Sequence, residues 1–140
     1  MKLTLARVLI AAVFLMNLQA AAFFLLWPAR YTPSFELSGA VGEAMLRGMG
    51  VLFLMWNVPY AVALWHPARH YIALVMALAM QAIGLVGETF IYISLPHANG
   101  IARAAIARFI LFDGLGLLAL LMAAGLLGAS GRPDRHEARA

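Results

Sequence analysis

The sequence predicts an all-α membrane protein, a bundle of four transmembrane helices with both termini cytoplasmic, and three observations lead there. Of the 140 residues, 64% are hydrophobic and only 11% charged, a balance that water does not solvate as a globule. The apolar residues fall into four stretches, each of the roughly 20 residues or more that a bilayer crossing needs. The Lys and Arg residues outside those stretches are unevenly divided: Lys2, Arg7, Arg69, Arg132, Arg135 and Arg139 share the side of both termini, against Arg30 and Arg103 opposite. That is the bias of cytoplasmic segments, and it places the chain in a bacterial inner membrane with both ends inside.

The first span runs over about 3–27 and stops where Trp27, Pro28, Arg30, Tyr31 and Pro33 form an interfacial aromatic belt and a short loop. A cleaved signal peptide is the competing reading, since Ala20, Ala21 and Ala22 resemble a peptidase site. The apolar run continues through Phe23 to Trp27, however, which suits a crossing. The second span covers about 39–65 and ends at Trp65, His66, Pro67, Arg69 and His70. The third, about 71–95, is closed by Pro96, His97, Asn99 and Gly100, and the fourth covers about 101–127. These four make one domain, 1–127. Residues 128–140, polar and charged, read as a disordered cytoplasmic tail.

The chain has no cysteine, which excludes disulfide frameworks, thiolate metal sites and dithiol redox chemistry. Its net charge of +4 is a topology signal, because no interleaved basic and aromatic motif points to nucleic acid. There is no HExxH, P-loop or nucleophile elbow, and no two histidines face each other at mid-membrane, so no metal and no haem or other cofactor is expected. The clusterable methionines, Met45 to Met80, read as packing residues.

Four charges interrupt the apolar stretches: Arg47, Glu88, Arg108 and Asp113. A charge at the centre of a spanning helix costs roughly 2.5–3.5 kcal/mol on insertion scales, so each is expected to face protein or a wet cavity. At a rise of about 1.5 Å per residue, Arg47, Glu88 and Arg108 lie roughly 10 Å deep, with Gln19, Asn17, Asp113 and Gln81 at about 12, 15, 18 and 21 Å. All four helices therefore place polar groups in the outer half. In the second span the spacing of Glu43, Arg47, Gly50, Leu54, Asn57 and Ala61 predicts an inward seam, with Glu43 itself near the interface. Pro59 predicts a kink, and Asn57 a hydrogen bond to freed backbone or across helices. In the third span Ala77, Gln81, Gly84, Glu88 and Tyr92 or Ile91 make the corresponding seam, with Gly84 and Gly87 allowing close approach. Arg108 and Asp113, about 140° apart around the fourth helix, cannot address one partner, and Gly114 and Gly116 open the backbone beside that carboxylate.

Two readings of the four charges stand side by side: a self-neutralising salt-bridge network, or a site for a ligand, proton or ion. Asn17, Gln19, Asn57 and Gln81 are expected as interhelical hydrogen-bond partners more than as ligand contacts. The layout of the Trp27, Pro28, Arg30 and Tyr31 loop, the Gly42, Glu43 and Arg47 helix start, Gly87 with Glu88, and Arg108 with Asp113 resembles small bacterial membrane proteins of the BphX-like kind. That resemblance implies a four-span fold and no known activity. A second resemblance is to the EXPERA group of sterol isomerases and sterol-binding proteins, but their catalytic histidine has no counterpart within a span beside Glu88.

The expectation is a protein that binds a lipophilic small molecule or lipid, with or without transport, in a charge-balanced pocket in the outer half of the bundle. Arg47 and Arg108 anchor a polar headgroup in that reading, Glu88 and Asp113 balance them, and Trp56, Tyr92 and Phe112 touch the apolar part. The alternative is a structural subunit or assembly factor, as homo-oligomer or membrane-complex partner, whose charges only fix helix packing. An isomerase using Glu88 and Asp113 comes third. The partners expected are the bilayer and that ligand.

Overall fold

A computed structural model describes residues 1–128; the expected tail lies almost wholly outside them. Four long helices, α1 (Lys2–Leu26), α3 (Gly39–Trp65), α4 (Tyr71–Ser94) and α5 (Gly100–Gly128), end within a residue of the apolar stretches. Each is long and apolar enough to span a membrane. The punctuation residues act as chemistry dictates. Pro96 and Asn99 turn the chain between α4 and α5, and His66 to His70 carry it from α3 to α4.

The first connection is more ordered than a plain loop. Pro28 sits at the first position of a short helix, α2 (Pro28–Tyr31), where its missing N–H has no cost. A 3₁₀ turn over Thr32–Phe35 follows and ends on Glu36 in the left-handed region, φ 57°. This segment folds back over the helix ends: Tyr31 stacks on Phe23 at 5.6 Å between ring centroids, and Phe35 meets both Phe24 and Phe109.

The long helices form a four-sided bundle in the cyclic order α1, α3, α4, α5, each packing on two neighbours. Ala6 and Leu127 share one core, so the start of α1 and the end of α5 lie at the same end of the bundle. We call this the terminal end and the other, beneath residues 28–38 and 95–99, the loop end. The fully packed core belongs to the terminal half: Ala6, Ile10 and Val13 of α1, Tyr60 and Ala63 of α3, Ala73, Leu74 and Ala77 of α4, and Leu120, Ala123 and Leu127 of α5. Alanine at the seam lets helix backbones approach closely, which in lipid is the main source of packing energy.

The seam of α4 lies where the spacing puts it, with Ala77, Gln81 and Gly84 buried and Glu88 and Tyr92 half-buried, while Ile91 faces outward. The seam of α3 is rotated from the expected one. Gly42, Leu46, Gly50, Asn57, Tyr60 and Ala63 are buried, and Arg47, Leu54 and Ala61 are exposed. The two patterns share Gly50 and Asn57, while Gly42, Leu46 and Tyr60 each lie one position before an expected residue, so the buried face is turned by less than the roughly 100° of one residue. Arg47 can stay outside because Glu43, one turn nearer the loop end, pairs with it at 3.1 Å.

Candidate functional site

The charges placed by the structure do not form the expected network. Arg47 pairs with Glu43 of its own helix. That is the one ion pair among the described residues. Glu88 keeps one buried carboxylate oxygen, Oε2, without a hydrogen bond, and Arg108 is exposed and makes neither a hydrogen bond nor an ion pair among the described residues. Carboxylates and guanidinium groups that sit on different faces of separate helices cannot neutralise one another by contact.

Asp113 is held by neutral groups. Gln81 donates through Nε2 to Asp113 Oδ1 at 2.8 Å, and its Oε1 accepts from the Tyr60 hydroxyl at 2.5 Å. The direction is chemically forced, because an ionised carboxylate only accepts, which turns the amide oxygen toward the phenol. Tyr60 OH also lies 3.2 Å from the Ala77 carbonyl, and Asn17 of α1 interacts with the same hydroxyl. A hydrogen-bonded relay thus joins α3, α4 and α5 at mid-bundle, with Asn17 of α1 beside it. Two glycines make room for it. A Cβ at Gly84 would collide with Asp113 Oδ2, and one at Gly116 would lie 2.7 Å from Gln81 Nε2. Gly116, rather than Gly114, is therefore the close approach beside the carboxylate, and Gly87 faces open space.

Asn57 is 4% exposed, and neither its amide nitrogen nor its amide oxygen has a hydrogen-bond partner among the described residues. The expected bond to backbone freed by Pro59 is not made.

On the loop side of the relay α1 and α5 part around a cavity of about 300 Å³. Its walls are Met16, Asn17, Gln19, Ala20, Phe23 and Phe24 of α1, Phe53 of α3, and Ala105, Arg108, Phe109, Phe112 and Asp113 of α5, with Tyr31, Ser34 and Phe35 as a roof. Phe24 is the hub, with the rings of Tyr31, Phe35, Phe53 and Phe109 centred 5.8–6.2 Å away. Met16 and Gln19 on α1 and Arg108 and Phe112 on α5 are exposed, so the cavity opens sideways between these two helices.

The cavity brings together only part of the polar set singled out from sequence. Of the residues singled out from sequence, Asn17, Gln19, Arg108, Asp113 and Phe112 line the cavity. Gln81 reaches it only through Asp113, and Arg47, Asn57, Glu88, Trp56 and Tyr92 are not in its walls. Trp56 packs edge-on against Phe53. Tyr92 lies 4.1 Å beneath the Arg103 guanidinium, whose Nη1 donates to the Tyr92 and Leu95 carbonyls and so terminates α4. Cations suit a helix C-terminus, where unpaired carbonyls collect negative charge. Arg7 does the same for α3 through the Trp65 carbonyl at 2.9 Å.

Sequence reasoning missed two important residues. Tyr60 was legible as the position three after Asn57. Glu36 carried no local signal, because its partners lie more than sixty positions away. Its carboxylate accepts from Asn99 Nδ2 at 2.5 Å and from the N–H groups of Ile101 and Ala102 at 3.1 and 3.3 Å. It caps α5 from another segment and pins the roof. The Asn99 amide, with the two N–H groups, holds the Glu36 carboxyl below its ordinary range against an opposing cost of partial desolvation.

No protein-family model matches this chain, and no curated protein or solved structure matches it either.

Proposed function

We propose that this chain is a multi-pass protein of a bacterial inner membrane, both termini cytoplasmic, that binds a lipophilic small molecule or lipid in the cavity between α1 and α5. The observation that carries the reading is the cavity itself: about 300 Å³, walled by aromatic rings, with only a few polar groups and a lateral opening. Ligand sites have this character, being mostly apolar with sparse polar groups that fix orientation, and start near this size at about 300 Å³. The BphX-like layout implies no activity, so the proposal rests on the site. Arg108 anchors a polar headgroup, Asp113 lies deeper, and Phe109 and Phe112 contact the apolar part.

The test is binding of an environment-sensitive apolar fluorophore to the purified protein in maltoside micelles. Ala105→Trp and Ala20→Phe, which fill the cavity from opposite walls, abolish binding while helical content is kept. Binding that persists in both filled variants overturns the proposal.

A structural role has one specific observation in its favour, the Tyr60–Gln81–Asp113 relay, which joins helices without needing a ligand. It accounts for Asp113 Oδ1 and leaves Arg108 unexplained.

A further inference from the structure

The cavity holds two opposite charges that do not meet. Arg108 and Asp113 both line it, and no ion pair forms between them. They are five positions apart on α5, about 7.5 Å along the axis and about 140° around it. Arg108 has no partner among the described residues, and Asp113 gives one oxygen, Oδ1, to Gln81 while Oδ2, which lies beside Gly84 of α4, accepts no hydrogen bond among the described residues. Isolated charges at this depth are costly unless something compensates them.

The occupant can be deduced by elimination on charge. An amphiphile bearing only an acid gains Arg108 but brings a second anion toward Asp113. One bearing only an amine gains Asp113 but faces Arg108. From this complementarity we infer that the cavity takes a zwitterionic headgroup, an anionic group at Arg108 and a cationic nitrogen at Asp113 Oδ2, whose apolar chain leaves through the opening between Met16 and Gln19 on α1 and Phe112 on α5. This deepens the ligand-binding proposal and rests on it. The volume agrees, because about 300 Å³ accommodates a headgroup and not a two-tailed lipid, and the lateral opening leaves the tails in the bilayer. The polarity is set by depth: Asp113 is half-buried beside the relay, and Arg108 is nearer the loop end and exposed. The same chemistry belongs to a zwitterionic phospholipid and to a free single-chain zwitterion.

The experiment uses the full chain in maltoside micelles, with bound molecules counted by native mass spectrometry. The probes are lysophosphatidylethanolamine, lysophosphatidylglycerol and a long-chain alkylamine, with two-chain phosphatidylethanolamine as a separate arm. The wild type is expected to bind the zwitterion about tenfold more tightly than either singly charged probe. Arg108→Gln abolishes the preference over the alkylamine. Asp113→Asn, which keeps an oxygen for the Gln81 amide and so preserves the fold, abolishes the preference over the acidic probe. These reciprocal changes are a signature that a purely structural role for either charge does not produce. Retention of the two-chain lipid identifies the bilayer as source, and retention of the single-chain probe alone identifies a free amphiphile; either outcome supports the inference. Binding of the acidic probe as tight as that of the zwitterion, or variants that weaken all probes equally, overturns it while leaving the cavity proposal standing. Failure of every probe and of the apolar fluorophore overturns both.

Discussion

The two halves of this bundle are built from different side chains and end in different structures. In the terminal half, Ala6, Ala63, Ala73, Ala77 and Ala123 let the backbones close together and Ile10, Leu74 and Leu120 fill what remains, each 0–5% exposed. In the loop half the rings of Phe23, Phe24, Phe53 and Phe109 line a space that they do not fill, beside the buried Ala21 and Ala105. Hydrophobicity alone does not distinguish the halves. Side-chain volume at the seam does, because lipid is as apolar as leucine and helix association depends on shape. The Tyr60–Gln81–Asp113 relay lies at the boundary, and its last member, Asp113, lines the cavity.

Breaking that boundary has the largest expected effect. Gln81→Leu removes the acceptor of Tyr60 and the donor to Asp113 at once, stranding a carboxylate inside the bundle. Unfolding in detergent should show a loss of about 3 kcal/mol. Tyr60→Phe, which removes only the neutral end, should cost about 1 kcal/mol. Equal costs for the two would mean that Asp113 draws its support from elsewhere.

The halves themselves separate by truncation. Leu120 is fully buried in the terminal core, and Leu120→Ala should cost about 2 kcal/mol through the void it leaves. Phe112, 40% exposed at the cavity mouth, already borders empty space, and Phe112→Ala should cost less than about 1 kcal/mol while weakening fluorophore binding. Similar stability losses at both positions would erase the distinction between a packed and an open half.

The terminal half was the more legible in the sequence. Long apolar stretches set the helix ends, and Ala77, Gln81 and Gly84 fell on one face by spacing alone. The site was less legible because the reading ranked residues by charge. Arg47 and Glu88 looked equivalent to Arg108 and Asp113, yet a long Arg stem beside Glu43 satisfies itself on the outer face of the bundle, an i,i+4 pairing that costs the bundle nothing. The cavity is defined by Phe23, Phe24 and Phe109, which in an apolar chain carry no distinguishing pattern. Its roof depends on Glu36 meeting Asn99, a contact between segments that share no periodicity.

That roof gives a pH test confined to the loop half. The Glu36 carboxyl is held below its ordinary range by the Asn99 amide and by the N–H groups of Ala102 and Ile101. A depressed folded value means the clasp is at full strength above the ordinary carboxylate value of about 4.3 and is lost as pH falls through the folded value. Amide exchange at Ile101, Ala102 and residues 28–38 should therefore rise below about pH 4, with the terminal core unchanged, and Glu36→Gln should show the faster exchange already at neutral pH. Exchange that rises uniformly along the chain would count against a local clasp.

A pair of glycines tests which face of α4 meets α5. Gly84 and Gly87 look alike in sequence, three positions apart. A methyl group at Gly84 meets the Asp113 carboxylate, and one at Gly87 meets nothing within 4 Å. Gly84→Ala should push α4 from α5 and cost about 1–3 kcal/mol by overpacking. Gly87→Ala should be neutral or raise stability by up to about 1 kcal/mol, the helix propensity alanine gains over glycine. Matched thermal unfolding of the two variants decides it. A loss at Gly87 equal to that at Gly84 would require α4 to present a broader face to α5 and would move Glu88, one position beyond Gly87, into that interface.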